Sequence, residues 1–255
     1  MKVLIWFLIF YFGAIWGSFF YTLAIHFVNG KITSSAFKSL FSRSICPKCE
    51  TPIKSIDLVP ILSFIVLRGK CRNCTDRISI LYPLSELFFG LLACAVCFKF
   101  DIVPYAFYIF IFLSILAVIS YVDIKTLTIP NSLVIVLVLL TIFQIIISDQ
   151  KLDMLYGGLF LTSFFLVFFL LIPGSFGFGD VKLAAVLGTF CGLIQSVVVL
   201  EGALITGAFC GIIYMVARKK GLKTKMPFGP FLALGFMISI FYGDVIAFIY
   251  FRFVN

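Results

Sequence analysis

Long runs of apolar residues dominate this sequence and restrict the folds that it can adopt. An α-helix that crosses the hydrocarbon core of a bilayer needs about 17–25 predominantly apolar residues. We predict membrane spans at residues 3–28, 80–98, 103–121, 129–148, 154–172, 181–199, 202–217 and 228–251. The chain is therefore expected to be an all-α polytopic membrane protein with about eight transmembrane helices, and the lipid bilayer is its expected surrounding partner.

The composition excludes a soluble fold of the same size. Hydrophobic residues make up 62% of the 255 residues, and charged residues only 12%. Soluble domains are usually about 45–50% apolar and about 25% charged. A soluble fold of this length has too small an interior to remove so much apolar surface from water. The first span is expected to be a retained helix, because it is longer than the roughly 7–15 apolar residues of a secretory signal.

The basic residues predict how the chain is oriented, because positively charged loops tend to stay on the cytoplasmic side of a membrane. With the N-terminus outside, the inner loops at 29–79, 122–128, 173–180 and 218–227, together with Lys182, hold 16 of the 20 Lys and Arg residues. The other four are Lys2, Lys99, Lys151 and Arg252. The collection of basic residues in the inner loops of a membrane protein explains the net charge of +9. We therefore predict no nucleic-acid partner.

Four cysteines in the first inner loop form two Cys-x-x-Cys pairs, Cys46 with Cys49 and Cys71 with Cys74. Each pair is typical of a tight turn that directs two thiolates at one point, and two such turns supply the tetrahedral sulfur shell that zinc prefers. Disulfides and free thiols are alternatives, although a reducing cytoplasm disfavours disulfides. We predict a small cytoplasmic zinc-binding loop domain. Its zinc is expected to be structural, because four sulfur ligands leave no open position for water.

Two aspartates lie at the same edge of the predicted membrane region, where carboxylates are costly and call for a functional explanation. Asp123 ends the third span, and Asp180 begins the sixth within Gly177-Phe-Gly179-Asp180. A structural interpretation is available for each, with Asp180 as a helix N-cap and Asp123 as an interfacial partner of Lys125. Together they predict a dyad that shares one proton. One carboxylate would then activate water while the other hydrogen-bonds to a scissile carbonyl.

Other polar residues near the spans are weaker candidates. Glu86 lies in the inner half of the second span, where a carboxylate needs a partner or a proton. Glu201 separates the sixth and seventh spans, and His26 is interpreted as a packed or interfacial residue of the first. No serine lies in a Gly-x-Ser-x-Gly turn, so no covalent nucleophile competes with the aspartates. The remaining cysteines are interpreted as apolar packing residues: Cys94, Cys97, Cys191 and Cys210.

With these motifs the chain resembles the bifunctional type IV prepilin leader peptidases with N-methyltransferase activity. The segments that carry the resemblance beyond the cysteine pairs are Ile56-Asp-Leu-Val-Pro, Tyr82-Pro-Leu-Ser-Glu86, Asp123 with the following Ile129-Pro-Asn, Gly177-Phe-Gly-Asp180 and Pro227-Phe-Gly-Pro. The resemblance implies that Asp123 and Asp180 are the two catalytic aspartates.

The resemblance also implies a substrate and a second cofactor. The peptidase would remove the short basic leader of prepilins or pseudopilins at the cytoplasmic face of a bacterial inner membrane. S-adenosylmethionine would then donate a methyl group to the new N-terminus. We divide the chain accordingly into a first transmembrane helix at 1–28, the zinc-binding loop at 29–79 and a seven-helix peptidase domain at 80–255.

Two positions near the first span depart from the pattern of family members that have both activities. Tyr21 stands where they usually carry asparagine, and His26 stands where they carry arginine. A peptidase without methyl transfer is therefore one alternative. An ion- or proton-coupled transporter is another, because intramembrane carboxylates also bind ions. The position of both aspartates at one face, and the lack of an apparent inverted repeat, argue against the transporter.

Overall fold

The computed structural model describes residues 2–30, 44–101, 104–172, 174, 176–218 and 226–254. Some basic residues used to predict the orientation lie outside these ranges, namely Lys31, Lys38, Arg43, Lys219, Lys220, Lys223 and Lys225. The prediction that they face the cytoplasm therefore rests on the sequence alone.

Helices account for almost all regular structure in the described residues. They are α1 (Lys2–Val28), α2 (Leu62–Val66), α3 (Leu81–Phe100), α4 (Pro104–Thr126), α5 (Asn131–Ile147), α6 (Lys151–Leu171), α7 (Phe178–Cys191), α8 (Leu193–Arg218) and α9 (Gly229–Val254). A 3-10 helix at Ser55–Leu58 precedes α2. The same part of the chain has no β-strand, only two isolated β-bridges in the four-cysteine loop.

Six helices in the described ranges are long and apolar enough to cross a membrane, namely α1, α3, α4, α6, α8 and α9. The apolar helix α5 has 17 residues and α7 has 14, which correspond to lengths of about 26 Å and 21 Å at 1.5 Å per residue. These eight helices match the eight predicted spans in order. The prediction of an all-α, multi-pass membrane protein is confirmed.

The sixth and seventh spans are divided at a different residue from the one predicted. Helix α7 ends at Cys191 and α8 begins at Leu193, whereas Glu201 lies inside α8. Gly192 separates the helices with a φ of 82°, a conformation that favours glycine. Asp153 accepts a hydrogen bond from the Leu193 N–H at 3.2 Å. The boundary between the two helices is therefore formed by Gly192 together with the Asp153 carboxylate. Glu201 does not mark a helix end.

The chain divides into two compact units, Met1–Ser114 and Ile115–Asn255. In the first unit, α1 packs against α3. A Cβ atom on Gly13 would lie 2.5 Å from the carbonyl oxygen of Phe89, and one on Gly17 would lie 2.7 Å from that of Ser85. Small residues allow membrane helices to approach this closely. The contact places the middle of α1 beside the first turns of α3, where the four-cysteine loop joins the helix.

In the second unit, α6 packs against α7, and α8 packs against α9. Gly157 and Gly188 bring the α6 and α7 backbones together, and Gly235 brings α9 against the Val199 carbonyl of α8. The fully buried side chains of this unit include Leu161, Phe165, Leu183, Leu187, Leu232 and Phe236. This packing fixes the starts of α7 and α9, which carry two of the motifs singled out from the sequence.

Candidate active site and metal site

Asp123 lies one turn before the end of α4, and its side chain is buried, with 4% of the residue exposed. Its Oδ2 accepts a hydrogen bond from the backbone N–H of Gly229, the first residue of α9, at 2.9 Å. The N-terminal N–H groups of a helix have no partner within the helix and favour a negative charge nearby. A Cβ on residue 229 would lie 2.9 Å from the same oxygen. Glycine is therefore the residue that fits between the helix start and the carboxylate.

Asp180 is the third residue of α7 and is 8% exposed. Its Oδ2 accepts a hydrogen bond from the backbone N–H of Gly177 at 2.8 Å. Gly177, and not Asp180, occupies the N-cap position. The carboxylate thus reaches back to the N-cap N–H from the third helical position, as the acidic residue of a capping box does.

The alternative interpretation of Asp123 as a partner of Lys125 differs from the observed contacts. Within the described part of the chain, the Lys125 ammonium lies over the Tyr121 ring, 5.8 Å from its centroid, and forms no ion pair with Asp123. The buried hydrogen bond to Gly229 takes the place of that pair.

The segments that carry the two aspartates are in contact. A Cβ on Gly179 would lie 3.1 Å from the Ile129 side chain. The residue just before Asp180 therefore packs against the Ile129-Pro-Asn segment that follows Asp123. The Lys182 ammonium donates a hydrogen bond to Asn131 Oδ1 at 3.1 Å. The structure therefore brings together the two segments that carry the predicted carboxylates.

An aromatic cluster packs beside the segments that hold the two aspartates. The rings of Phe176 and Phe228 lie 4.8 Å apart, and Phe165 contacts both, at 4.9 Å and 5.6 Å. Phe176 precedes the Gly177–Asp180 segment, and Phe228 precedes Gly229. Aromatic pairs in such contact stabilise a fold by more than the burial of their apolar surface alone. The cluster holds together the two glycine-containing segments that donate hydrogen bonds to the aspartates.

The four loop cysteines converge on one point. The sulfur atoms of Cys46, Cys49, Cys71 and Cys74 all lie within 4.8 Å of one another. All four are free, and the Cys46 and Cys74 sulfurs are 3.8 Å apart, well beyond the roughly 2.05 Å of a disulfide bond. The loop therefore forms a four-thiol cluster that could hold a metal ion, and the predicted convergence of the two pairs is confirmed.

The two cysteine turns have the same backbone hydrogen bonds. Cys46 N–H donates to the Thr51 carbonyl at 3.0 Å, and Cys71 N–H donates to the Asp76 carbonyl at 2.8 Å. In each turn the carbonyl of the first cysteine accepts the N–H of the residue four positions later, Glu50 or Thr75. Those two residues have φ angles of 55° and 56°. The turns are thus two copies of one structure, which presents its two thiols in the same way each time.

Ion pairs join the cysteine turns to each other and to the intervening segment. Lys48 of the first turn contacts Asp76 of the second at 2.7 Å. Arg72 binds Asp57 of the 3-10 helix through two nitrogens, at 2.6 Å and 2.9 Å. The hydrogen bond from Arg72 holds the pKa of the Asp57 carboxyl below its usual value. These contacts fix the segment between the cysteine pairs against the second turn.

Glu86 also has a defined position, on the second turn of α3. It is buried and accepts a hydrogen bond from the Ile61 backbone N–H at 2.7 Å. A Cβ on Gly17 of α1 would lie 3.0 Å from the Glu86 Cα. Ile61 has a φ of 62°, which is rare for a β-branched residue. Glu86 therefore lies where the four-cysteine loop, α1 and α3 meet.

The positions at which the sequence departs from the family pattern lie in the same unit. Tyr21 is buried on α1, and its ring meets that of Tyr82 edge-on at 4.8 Å. His26 is half-buried in the last turn of α1. Cys94, Cys97, Cys191 and Cys210 lie in helices and belong to no metal-binding cluster among the described residues.

Two family models match this chain in succession. Residues 11–100 match the bacterial peptidase A24 N-terminal domain, and residues 110–214 match the type IV leader peptidase family. A relative from Bacillus subtilis, named prepilin leader peptidase/N-methyltransferase, is 31% identical over 96% of this chain and 97% of its own length. The chain belongs to the type IV leader peptidase family.

Other relatives of this leader peptidase have the same name. The protein from Aeromonas hydrophila is 30% identical over 82% of this chain and 75% of its own length. The protein from Burkholderia pseudomallei strain 1026b is 34% identical over 79% of this chain and 67% of its own length. No solved structure matches the chain. The resemblance stated from the motifs is confirmed, and the leader peptidase is an enzyme of the peptidase class.

Two features of the leader peptidase were not predicted from its sequence. The hydrogen bond from Gly229 to Asp123 joins residues 106 positions apart, although the Pro227-Phe-Gly-Pro motif marked the segment. The bond from Ile61 to Glu86 depends on a backbone conformation that the residue type disfavours. The need of Glu86 for a partner was the one signal that pointed to it.

Proposed function

We propose that this leader peptidase cleaves prepilins or pseudopilins with Asp123 and Asp180 as its catalytic dyad. The observation that carries the proposal is the burial of both carboxylates, each held through Oδ2 by one glycine N–H at a helix start. The described residues include no hydrogen bond to either Oδ1. One oxygen of each carboxylate is therefore available for a proton, a water molecule or a peptide carbonyl.

The mechanism follows from two carboxylates that share one proton. The ionised carboxylate accepts a proton from water as the water oxygen attacks the carbonyl carbon of the scissile peptide. The protonated carboxyl donates a hydrogen bond to the carbonyl oxygen as negative charge develops there. When the tetrahedral intermediate collapses, the C–N bond breaks and a proton passes to the leaving amine. The glycine N–H groups position the dyad throughout and take no part in proton transfer.

The proposed active site faces the cytoplasm of a bacterium whose inner membrane holds the protein. Lys125 follows Asp123 by two residues, and Lys182 follows Asp180 by two. The four-cysteine loop adds exposed basic side chains at Lys54, Arg68 and Lys70. An excess of Lys and Arg beside the spans supports a cytoplasmic orientation.

The four-thiol cluster is proposed to bind zinc. Zinc–sulfur bonds of about 2.3 Å in a tetrahedron place neighbouring sulfurs about 3.8 Å apart, and the Cys46–Cys74 distance is 3.8 Å. Four thiolates would close the coordination shell, so the ion would stabilise the loop and take no part in peptide hydrolysis.

We extend the proposal to methyl transfer from S-adenosylmethionine to the new N-terminus. The name of the Bacillus subtilis relative includes this activity, and that relative aligns over almost the whole chain. We place the methyl-transfer site in the four-cysteine loop and the adjoining ends of α1 and α3, apart from the aspartates. S-adenosylmethionine is charged and water-soluble, so its site should lie at the membrane edge.

One assay tests cleavage and methylation together. The purified protein is incubated with a full-length prepilin and labelled S-adenosylmethionine, and the product is examined by mass spectrometry. We expect a product that has lost its leader and gained one methyl group. Cleavage without methylation would support the peptidase-only alternative. An intact substrate, with the protein folded in a bilayer, would contradict the proposed peptidase function.

A double Asp123→Asn/Asp180→Asn variant tests whether the two activities are separable. It should still methylate a pre-cleaved pilin peptide, whereas Cys46→Ser should reduce methylation more than cleavage. Loss of methylation in the aspartate variant with its fold intact would show that the sites are not separate. Family membership favours the peptidase over a transporter, which the intramembrane carboxylates by themselves left as an alternative.

A further inference from the structure

The four-cysteine loop exposes an apolar surface that the proposed chemistry does not use. Leu62, Ile65 and Val66 of α2 are 60%, 63% and 74% exposed. Their spacing of three and four residues places them on one side of the helical turn. Phe64 instead packs beside Gly69, where an added Cβ would lie 3.0 Å from its ring. We call Leu62, Ile65 and Val66 the α2 face.

The position of the α2 face relative to a membrane helix is fixed by Glu86. The Ile61 N–H immediately before α2 binds the Glu86 carboxylate at 2.7 Å. Glu86 is the sixth residue of α3, about 8 Å along the helix from its start. The α2 face therefore lies near the end of a membrane-spanning helix, at the height of its first turns.

The apolar outer surface of α3 extends to the same height. Leu81, Leu84, Leu87 and Phe88 are exposed on the first turns of α3, and Ile80 is exposed just before it. In a bilayer these side chains contact lipid. The α2 face thus lies at the height of the first lipid-contacting turns of α3, where hydrocarbon meets headgroups.

Basic side chains border the α2 face. Lys54 lies before the 3-10 helix that packs against α2, and Arg68 and Lys70 follow α2 directly. All three are exposed. Apolar residues beside Lys and Arg are the pattern of segments that lie in the interface of an anionic bilayer. A basic leader peptide would be repelled by these charges, so the substrate's leader fits this surface less well than lipid does.

We propose that the α2 face docks onto the bilayer surface, with Leu62, Ile65 and Val66 inserted between anionic lipid headgroups. The contact would hold the four-cysteine loop against the membrane, with the Glu86–Ile61 hydrogen bond as its fixed point. The proposal is independent of which side of the membrane the loop occupies, because it concerns the leaflet next to the loop.

A single tryptophan can report this contact. The two native tryptophans, Trp6 and Trp16, are replaced by phenylalanine, and Val66→Trp is introduced. The protein is placed in nanodiscs of phosphatidylcholine and phosphatidylglycerol, with or without brominated acyl chains. We expect brominated lipid to quench the fluorescence strongly and aqueous acrylamide to quench it weakly. Strong quenching by acrylamide alone would show a water-exposed face, and shielding from both quenchers would show a face covered by protein. Either result would overturn the proposal.

A matched pair of variants tests the apolar contribution. In a Leu62→Trp reporter background, Ile65→Asp/Val66→Asp should abolish quenching by brominated lipid, and Ile65→Leu/Val66→Leu should keep it. Equal zinc content in the two proteins would show that both loops are folded. Unchanged lipid quenching in the aspartate variant would contradict insertion of the face.

Lipid composition tests the charge contribution. Omission of phosphatidylglycerol should reduce the quenching of the Val66→Trp reporter by brominated lipid, and Lys54→Gln/Arg68→Gln/Lys70→Gln should do the same in anionic nanodiscs. Quenching that is independent of both changes would overturn the assignment of an anionic lipid surface. No readout depends on peptide cleavage, so failure here is distinguishable from failure of the proposed peptidase function.

Discussion

Single glycines position both aspartates of the proposed dyad. Gly229 and Gly177 each donate a backbone N–H to a carboxylate oxygen at the start of a helix. A side chain at residue 229 would meet the Asp123 carboxylate at 2.9 Å. At this scale the site depends on the absence of side-chain atoms as much as on the carboxylates themselves.

Gly229→Ala is expected to reduce prepilin cleavage by about 10²-fold, because a displacement of about 1 Å in a catalytic group can have an effect of that size. The added Cβ would push the Asp123 carboxylate from its position. Gly211→Ala is the matched control, since its Cβ would find its nearest neighbour, the Met226 sulfur, at 3.8 Å. Cleavage rates are measured with a purified prepilin. Full activity of Gly229→Ala would contradict the proposed positioning role.

The sequence singled out Asp123 and Asp180 as candidate catalytic residues but did not predict the backbone group that holds Asp123. Carboxylates are energetically costly near a membrane, and this singled out Asp123 and Asp180. The Gly-x-Gly-Asp motif gave further support to Asp180. The partner of Asp123 could not be derived, because 106 residues separate it from Gly229 and no local pattern relates the two. The bond to Asp123 follows from tertiary packing, which periodicity does not encode, whereas the bond from Gly177 to Asp180 is local.

The cysteine turns are the element that the sequence predicted best. Cys-x-x-Cys spacing specifies a local turn, and both copies have the same hydrogen bonds. The break between α7 and α8 was predicted less well. Gly192 forms it with Asp153, whereas the polar Glu201 indicated a boundary that is absent. A charge in an apolar run is a weaker sign of a helix end than a glycine with a capping partner elsewhere in the chain.

The purified protein is expected to contain about one zinc ion per chain. Cys46→Ser or Cys71→Ser should lower the zinc content and make the loop more susceptible to proteolysis, because the ion supplies much of the loop's folding energy. Cys94→Ser/Cys97→Ser is the matched control, as this pair has the same spacing but lies in α3. Elemental analysis checks the result. Zinc that is absent from wild-type protein, or that is lost equally from the control, would contradict the assignment.

At the scale of the whole molecule, the proposed orientation of the apolar helices across the membrane rests on the distribution of Lys and Arg residues. Positions 128 and 150 flank α5 and are both exposed. If the proposed orientation holds, a membrane-impermeant thiol reagent should label Gln150→Cys in intact cells and Thr128→Cys only after permeabilisation. The helix cysteines are replaced by serine for this measurement. Labelling of Thr128→Cys from outside would reverse the orientation and place the aspartates on the wrong face for a cytoplasmic leader.

The proposed aspartate dyad is the central claim, and cleavage by single aspartate variants tests it most directly. Asp123→Asn and Asp180→Asn should each reduce the rate of prepilin cleavage by at least about 10²–10⁴-fold, because an amide can neither accept nor share the proton. Asp149→Asn, at an exposed aspartate outside the site, should cleave at the wild-type rate. Unchanged zinc content and membrane insertion would show that each variant is folded. Near-normal cleavage by either Asp123→Asn or Asp180→Asn would contradict the dyad.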